Sequence, residues 1–209
     1  MLYPSQVCDG MVHSLGGRHL MEALRREALA VQTYVTHRNL PIYTYGEDLE
    51  AEELCRIGSA VVTSTAGCGR LADTGYDAIA HTPPPMYPKE KHFDVTADFQ
   101  NMQDLWNTCL ANSYRRSISS LVYWQNAQKS KTFSDQFKPI NLAIATPILG
   151  SGGRGAPLEQ AVRAMVEGLV MAGKEQEKCD RNITVLVCVR YSEHFKIVSD
   201  VFNATETDA

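Results

Sequence analysis

Residues Asn141 to Leu169 run NLAIATPILGSGGRGAPLEQAVRAMVEGL. The segment reads as a buried strand, a glycine-rich loop and an amphipathic helix opened by Pro157. Gly150, Gly152, Gly153 and Gly155 crowd the junction, where a chain must turn sharply and where a ligand can come close to bare backbone. The first turn of the helix leaves several N–H groups without intrahelical partners, and the positive end of its dipole lies behind them. A strand, a glycine loop and a helix start in this order make a seat for phosphate or another anion. A tight strand-to-helix connection with no ligand has the same local sequence.

Working outward, the whole chain has 209 residues, enough for one domain with a sizeable core. Hydrophobic residues make up 44% and charged residues 21%, an ordinary balance for a globular protein. A formal net charge of -4 and a pI of about 5.9 speak against nucleic-acid binding by bulk electrostatics. No apolar run approaches the roughly 18 residues of a membrane span, so no membrane partner is expected. The N-terminus, MLYPSQVCDG, does not read as a signal peptide. Six cysteines are spread along the chain with no C-x-x-C pair, so neither a zinc site nor a disulfide framework is expected. These features point to an intracellular protein, cytoplasmic or nuclear, with no metal and no cofactor.

Upstream, Leu15-Gly16-Gly17-Arg18-His19 forms a second glycine-to-helix junction, with Leu20, Ala23, Leu24, Ala28 and Val31 at helical spacing behind it. Two such junctions in one domain point to a diphosphate cradle more than either does alone. Asp48 to Glu53 is acidic and reads as a solvated helix start. A strand is expected over Ala60 to Thr63. Another over Tyr76 to His81 must stop near Thr82, because three prolines follow. His81 reads as a strand-end histidine satisfied by its neighbours. Phe99, Met102, Leu105, Trp106, Cys109 and Leu110 share one face of a helix from Asp98 to Ser117, with Trp106 in a packing role. The next stretch, ISSLVYWQNAQ, extends that helix or forms a strand, and residues 123–138 read as an insertion. Ile183 to Val189 is a continuous apolar run expected to be a buried parallel strand. A terminal helix over Glu193 to Phe202 and a frayed tail over 203–209 close the chain. Alternating strands and helices give an α/β fold: a single domain with its core over about 7–202.

The glycine loop satisfies G-x-G-x-x-G literally at Gly150, Gly152 and Gly155. A dinucleotide fold, however, needs an acid at the end of the next strand, and that strand ends in Arg190. The P-loop fails because no Gly-Lys-Ser/Thr follows.

Taken in order, the segments resemble a macro domain, the ADP-ribose-binding fold. That family's P-A-I-S-T-G-V-Y-G-Y-P loop is similar to Pro147–Pro157, PILGSGGRGAP, without a gap. Its C-x-T-G-x-A-x-x-T resembles Cys55 to Thr63. Its I-H-T-V-G-P-x-Y resembles Ala80 to Tyr87, and its L-x-x-C-Y-x-x-S resembles Trp106 to Ser113. The glycine-rich first loop resembles Leu15 to Leu24, and the set spans about Asp9 to Phe202. The resemblance implies a three-layer α/β/α sandwich with a mixed, mostly parallel central sheet. It implies a ligand, ADP-ribose or a similar nucleotide diphosphate, free or on an ADP-ribosylated protein. Its binding residues would be Asp9, Gly16, Gly17, Arg18, Ser151, Gly152, Gly153, Arg154 and Gly155.

The chain also departs from the family. Gln6-Val7-Cys8-Asp9 stands where the family has N-A-A-N, and the strand pair and adenine-binding acid before it have no counterpart. Arg18-His19 stands where hydrolysing members place a polar residue, often Asp. Arg154 replaces a frequent aromatic; its guanidinium either suits a more anionic ligand or points to solvent. Three functions follow: a nucleotide-diphosphate binder, a degenerate interaction module, or an ADP-ribosyl hydrolase with His19 as base. An uncovered sheet edge also raises self-association as an expectation.

Overall fold

In a computed structural model of the chain, residues 8–34, 43, 45, 55–129, 140–177 and 181–207 are described. Expectations for Asp48 to Glu53 and for 130–138 lie outside them. Helix α1 (Cys8–Tyr34) is two helices joined at Gly17, whose φ of 56° and ψ of -150° break the helical path. The residues before the glycine pair are helical as well, from Cys8. Beyond the kink, Leu20, Leu24 and Ala28 recur on one face and are buried against Leu71 and Val61.

Strands β1 (Val61–Ser64) and β2 (Ala78–His81) pair antiparallel, Val61 opposite His81 and Ser64 opposite Ala78. The prolines Pro83 to Pro85 follow β2 at once, and without N–H groups they cannot extend its ladder.

Helix α2 (Thr96–Lys129) runs for 34 residues. The ISSLVYWQNAQ stretch therefore extends the helix, and its Ile118, Leu121 and Val122 are buried at helical spacing. Trp106 is buried and its indole N–H donates to the Pro85 carbonyl at 3.3 Å, which is the expected packing role. Helix α3 (Leu158–Gln176) crosses α2 closely at Gly168, where an added Cβ would sit 2.3 Å from the Ala111 carbonyl oxygen. Ala161, Val162, Ala164 and Met165 of α3 form the main core with Trp106, Leu110 and Tyr114 of α2.

Strands β3 (Ile140–Pro147) and β4 (Arg181–Cys188) pair in parallel, Ile140 beside Arg181 and Pro147 beside Cys188. The reading of these strands as fully buried is corrected. Leu142, Ile144, Ile183 and Val185 pack on Ile118, Val122 and Ala172. Ala143, Ala145, Thr184 and Leu186 point the other way and are exposed, Leu186 by 55%. An unbroken apolar run hides the two-residue alternation of a strand, so its letters do not show that only one face is covered. Among the described residues the two pairs, β1–β2 and β3–β4, are not hydrogen-bonded to one another. Helix α4 (Ser192–Thr207) packs on α3 and runs five residues beyond Phe202, into the stretch read as a tail. The α/β architecture expected from the sequence is present.

Candidate functional site

Because β3 and β4 are parallel and end level, the segments after Pro147 and after Cys188 leave the sheet at the same end. In open α/β folds, ligands gather at this carboxyl end of the strands. The segment after β3 is held from below by two tyrosines. The Tyr114 hydroxyl accepts the Leu149 N–H at 2.6 Å and donates to the Pro147 carbonyl at 3.2 Å. Burial pushes the Tyr114 phenol well above its usual range, so it stays a neutral donor. The Tyr87 N–H donates to the Arg154 carbonyl at 2.9 Å.

Inside the loop, Ala156 N–H reaches the Gly150 carbonyl at 3.0 Å and Gly155 N–H reaches that of Gly152 at 2.9 Å. Gly150 and Gly155 take φ of 85° and 77°, values that favour glycine. The Ser151 hydroxyl donates to the Ile148 carbonyl at 3.1 Å. The crown of the loop is different. Gly152 and Gly153 are exposed, with open space where a Cβ would stand. The N–H groups of Ser151, Gly152 and Gly153 have no partner among the described residues. Helix α3 starts just beyond, at a Pro157 that supplies no side-chain cap. The crown therefore carries three backbone donors without a partner among the described residues, a few residues before a helix N-terminus. Gly155, whose N–H is engaged within the loop, serves the turn.

The upstream candidates are arranged otherwise. Gly16 is buried, and a Cβ there would fall 2.6 Å from Leu20 and 2.7 Å from Leu71, so packing accounts for it. Gly17 is exposed with open space around it. Arg18 is 87% exposed and pairs with Glu22 at 2.6 Å, which lowers the Glu22 pKa. His19 is exposed. Asp9 lies in the first turn of α1, and its side chain is outside the described residues. Gly16 rests on the cluster of Leu20, Cys68 and Leu71, whereas Gly150 rests on Leu110, Trp106 and Ala156. No hydrogen bond joins the two glycine segments among the described residues.

The sequence reading missed the segment after β4. Tyr191 and Phe195 are 48% and 63% exposed there. The Arg190 guanidinium lies 5.3 Å over the Tyr191 ring, and His194 meets that ring edge-on at 5.1 Å. The signal was present: an arginine and an aromatic directly follow an apolar strand, at the end where the glycine loop emerges. A cleft of about 240 Å³ lies between Gln100, Gln103, Trp106 and Asn107 of α2 and Gln160 and Arg163 of α3. Among the described residues no cluster of His, Cys, Asp and Glu could hold a metal ion. No helix among them is long and apolar enough to cross a membrane.

Solved structures share this fold. A mutant of the Oceanobacillus iheyensis macrodomain with ADPR superposes with a TM-score of 0.60 at 18% identity, covering 99% of this chain and 81% of that one. The fold is that of a macrodomain. The same bacterial macrodomain with ADP gives 0.59 at 17% identity over 100% of this chain and 80% of that one. The Trypanosoma brucei macrodomain in complex with ADP gives 0.50 at 14% identity over 95% of this chain and 57% of that one. No protein-family model and no curated protein sequence matches the chain. The macrodomain fold agrees with the order of motifs from Leu15 to Pro157, and at these identities it is the fold that is shared.

Proposed function

We propose that this macrodomain binds ADP-ribose, or a related nucleoside diphosphate, at the carboxyl end of β3 and β4. The observation that carries the reading is the crown of the glycine loop. Three successive N–H groups, Ser151 to Gly153, have no partner among the described residues shortly before α3, while those of Gly155 and Ala156 are bonded within the loop. The diphosphate would sit on those donors, and Arg154 would add charge. Tyr191, exposed just after β4 at the same end of the parallel pair, offers a ring face for a base or ribose. Two macrodomains of similar fold were solved with ADPR or ADP, which supports the ligand class. A free nucleotide and an ADP-ribosylated protein present the same diphosphate.

Amide chemical shifts test this placement. ADP-ribose and ADP should move the resonances of Ser151, Gly152 and Gly153 most, with AMP weaker because it lacks the second phosphate. Shifts confined to other elements would overturn it.

Hydrolysis ranks below binding. His19 is exposed, and the neighbouring Arg18 is occupied by Glu22. Should His19→Ala abolish removal of ADP-ribose from a modified protein while leaving binding intact, hydrolysis would replace simple binding. A ligand-free interaction module is favoured by one observation, the exposed outer face of β3 and β4 around Leu186. Self-association through it would show as a concentration-dependent sedimentation coefficient.

A further inference from the structure

The cleft between α2 and α3 holds a hydrogen-bond arrangement that the ADP-ribose reading does not use. Its centre is the Tyr87 hydroxyl. Gln103 of α2 donates to that oxygen through Nε2 at 2.6 Å, and the hydroxyl donates in turn to Oε1 of Gln160 of α3 at 2.7 Å. The Tyr87 ring packs T-shaped on the buried Trp106 with centroids 5.0 Å apart, and its backbone N–H holds the Arg154 carbonyl at 2.9 Å. The phenol is thus fixed at both ends.

A hydroxyl has one proton to give, so it donates to one of the two amides and accepts from the other. Each amide spends the opposite atom on Tyr87. Gln103 is left with a carbonyl oxygen and Gln160 with N–H donors, neither partnered among the described residues. Reversing the whole chain of bonds exchanges the two free atoms and still leaves one donor and one acceptor on neighbouring amides. Both side chains line the cleft of about 240 Å³, with Trp106 in its wall.

We propose that this cleft is a second binding site, for an uncharged planar molecule with a primary carboxamide or lactam edge. Such an edge places an N–H for the Gln103 oxygen beside a carbonyl for the Gln160 nitrogen. Both amides keep their bonds to Tyr87, so binding adds hydrogen bonds without breaking any. The volume suits a single ring, since drug-sized ligands fill about 300–1,000 Å³. The charges at the rim speak against an anion. Asp104 lines the cleft, Glu159 holds the Arg163 guanidinium at 2.7 Å, and Glu167 accepts from Asn107 at 2.7 Å. Among the described residues there, carboxylates outnumber the guanidinium, so a phosphate is repelled. The site does not depend on the ADP-ribose reading, and either can fail alone.

Benzamide is the probe, titrated into the ligand-free full chain while amide resonances are followed. The side-chain N–H resonances of Gln103 and Gln160 should shift most and saturate together, with a Kd of about millimolar order for so small a fragment. N,N-dimethylbenzamide has the same ring and carbonyl but no N–H, and should bind at least about threefold more weakly. Gln160→Met, at an exposed position of α3 where methionine suits a helix, should weaken benzamide by a similar factor. Gln103→Met removes the acceptor instead and is the second variant. Shifts confined to other residues, or no saturable shift at all, would overturn the site. So would equal binding of the dimethyl compound, or an unchanged Kd in the variant that folds.

Discussion

Tyr114 braces the candidate seat through a single hydroxyl that serves both Leu149 and Pro147. Tyr114→Phe would leave a backbone donor and acceptor poorly paired, at a cost of about 1–3 kcal/mol. Urea denaturation should show that loss, and ADP-ribose affinity should fall with it because the loop crown loses its support. Gly152 gives the complementary case. Its φ is ordinary and no atom lies near its Cβ position, so Gly152→Val should move stability by no more than about 0.5 kcal/mol. Ligand affinity should nevertheless drop at least about tenfold, since the branched side chain covers the open N–H groups. Unchanged affinity would show that the ligand does not sit there. Gly17 is a backbone matter: its φ and ψ lie where glycine alone is at ease, so Gly17→Ala should cost about 1–3 kcal/mol. Thermal unfolding measures it.

At the scale of elements, the α2–α3 crossing and the end of β2 are two places where small changes have large effects. Gly168→Ala would drive a methyl into the Ala111 carbonyl, and overpacking of this kind costs about 1–3 kcal/mol or more. His81 links the fold to pH. It is neutral in the fold, with a pKa near 4, and takes its proton more readily once unfolded, near 6.5. Its contribution is thus complete above about pH 6.5 and is lost as pH falls toward 4, by about 3 kcal/mol in all. A plot of unfolding free energy against pH should show that slope, and His81→Gln should flatten it. The elements also show what sequence could and could not carry. Helical spacing of Leu20, Leu24 and Ala28 announced their buried face. The extension of α2 through Ile118 and Val122 stayed ambiguous because β-branched and aromatic residues suit either helix or strand. The outer face of β3 and β4 was misread because Ala143, Ala145 and Leu186 are apolar yet exposed.

For the molecule as a whole, the macrodomain fold was legible because weak motifs fell in order along most of the chain. The strand, glycine loop and helix start around Ser151 to Gly153 were legible for a physical reason: glycines at a strand-to-helix junction turn the chain sharply. The upstream partner was less so. Letters cannot distinguish Gly16, required by the contacts of Leu20 and Leu71, from a glycine held for a ligand. Nor can they show that Tyr191 and the glycine loop emerge at one end of a parallel pair, which is a property of register. The central claim is that this end of the molecule binds a nucleoside diphosphate. Calorimetric titration of ADP-ribose into the full chain tests it most directly, with Gly152→Val as the paired sample. Saturable heat at one site per chain with a Kd of about micromolar order, weakened at least about tenfold in the variant, is the predicted result. No heat at millimolar ligand from a folded chain, or equal binding by both proteins, would contradict it.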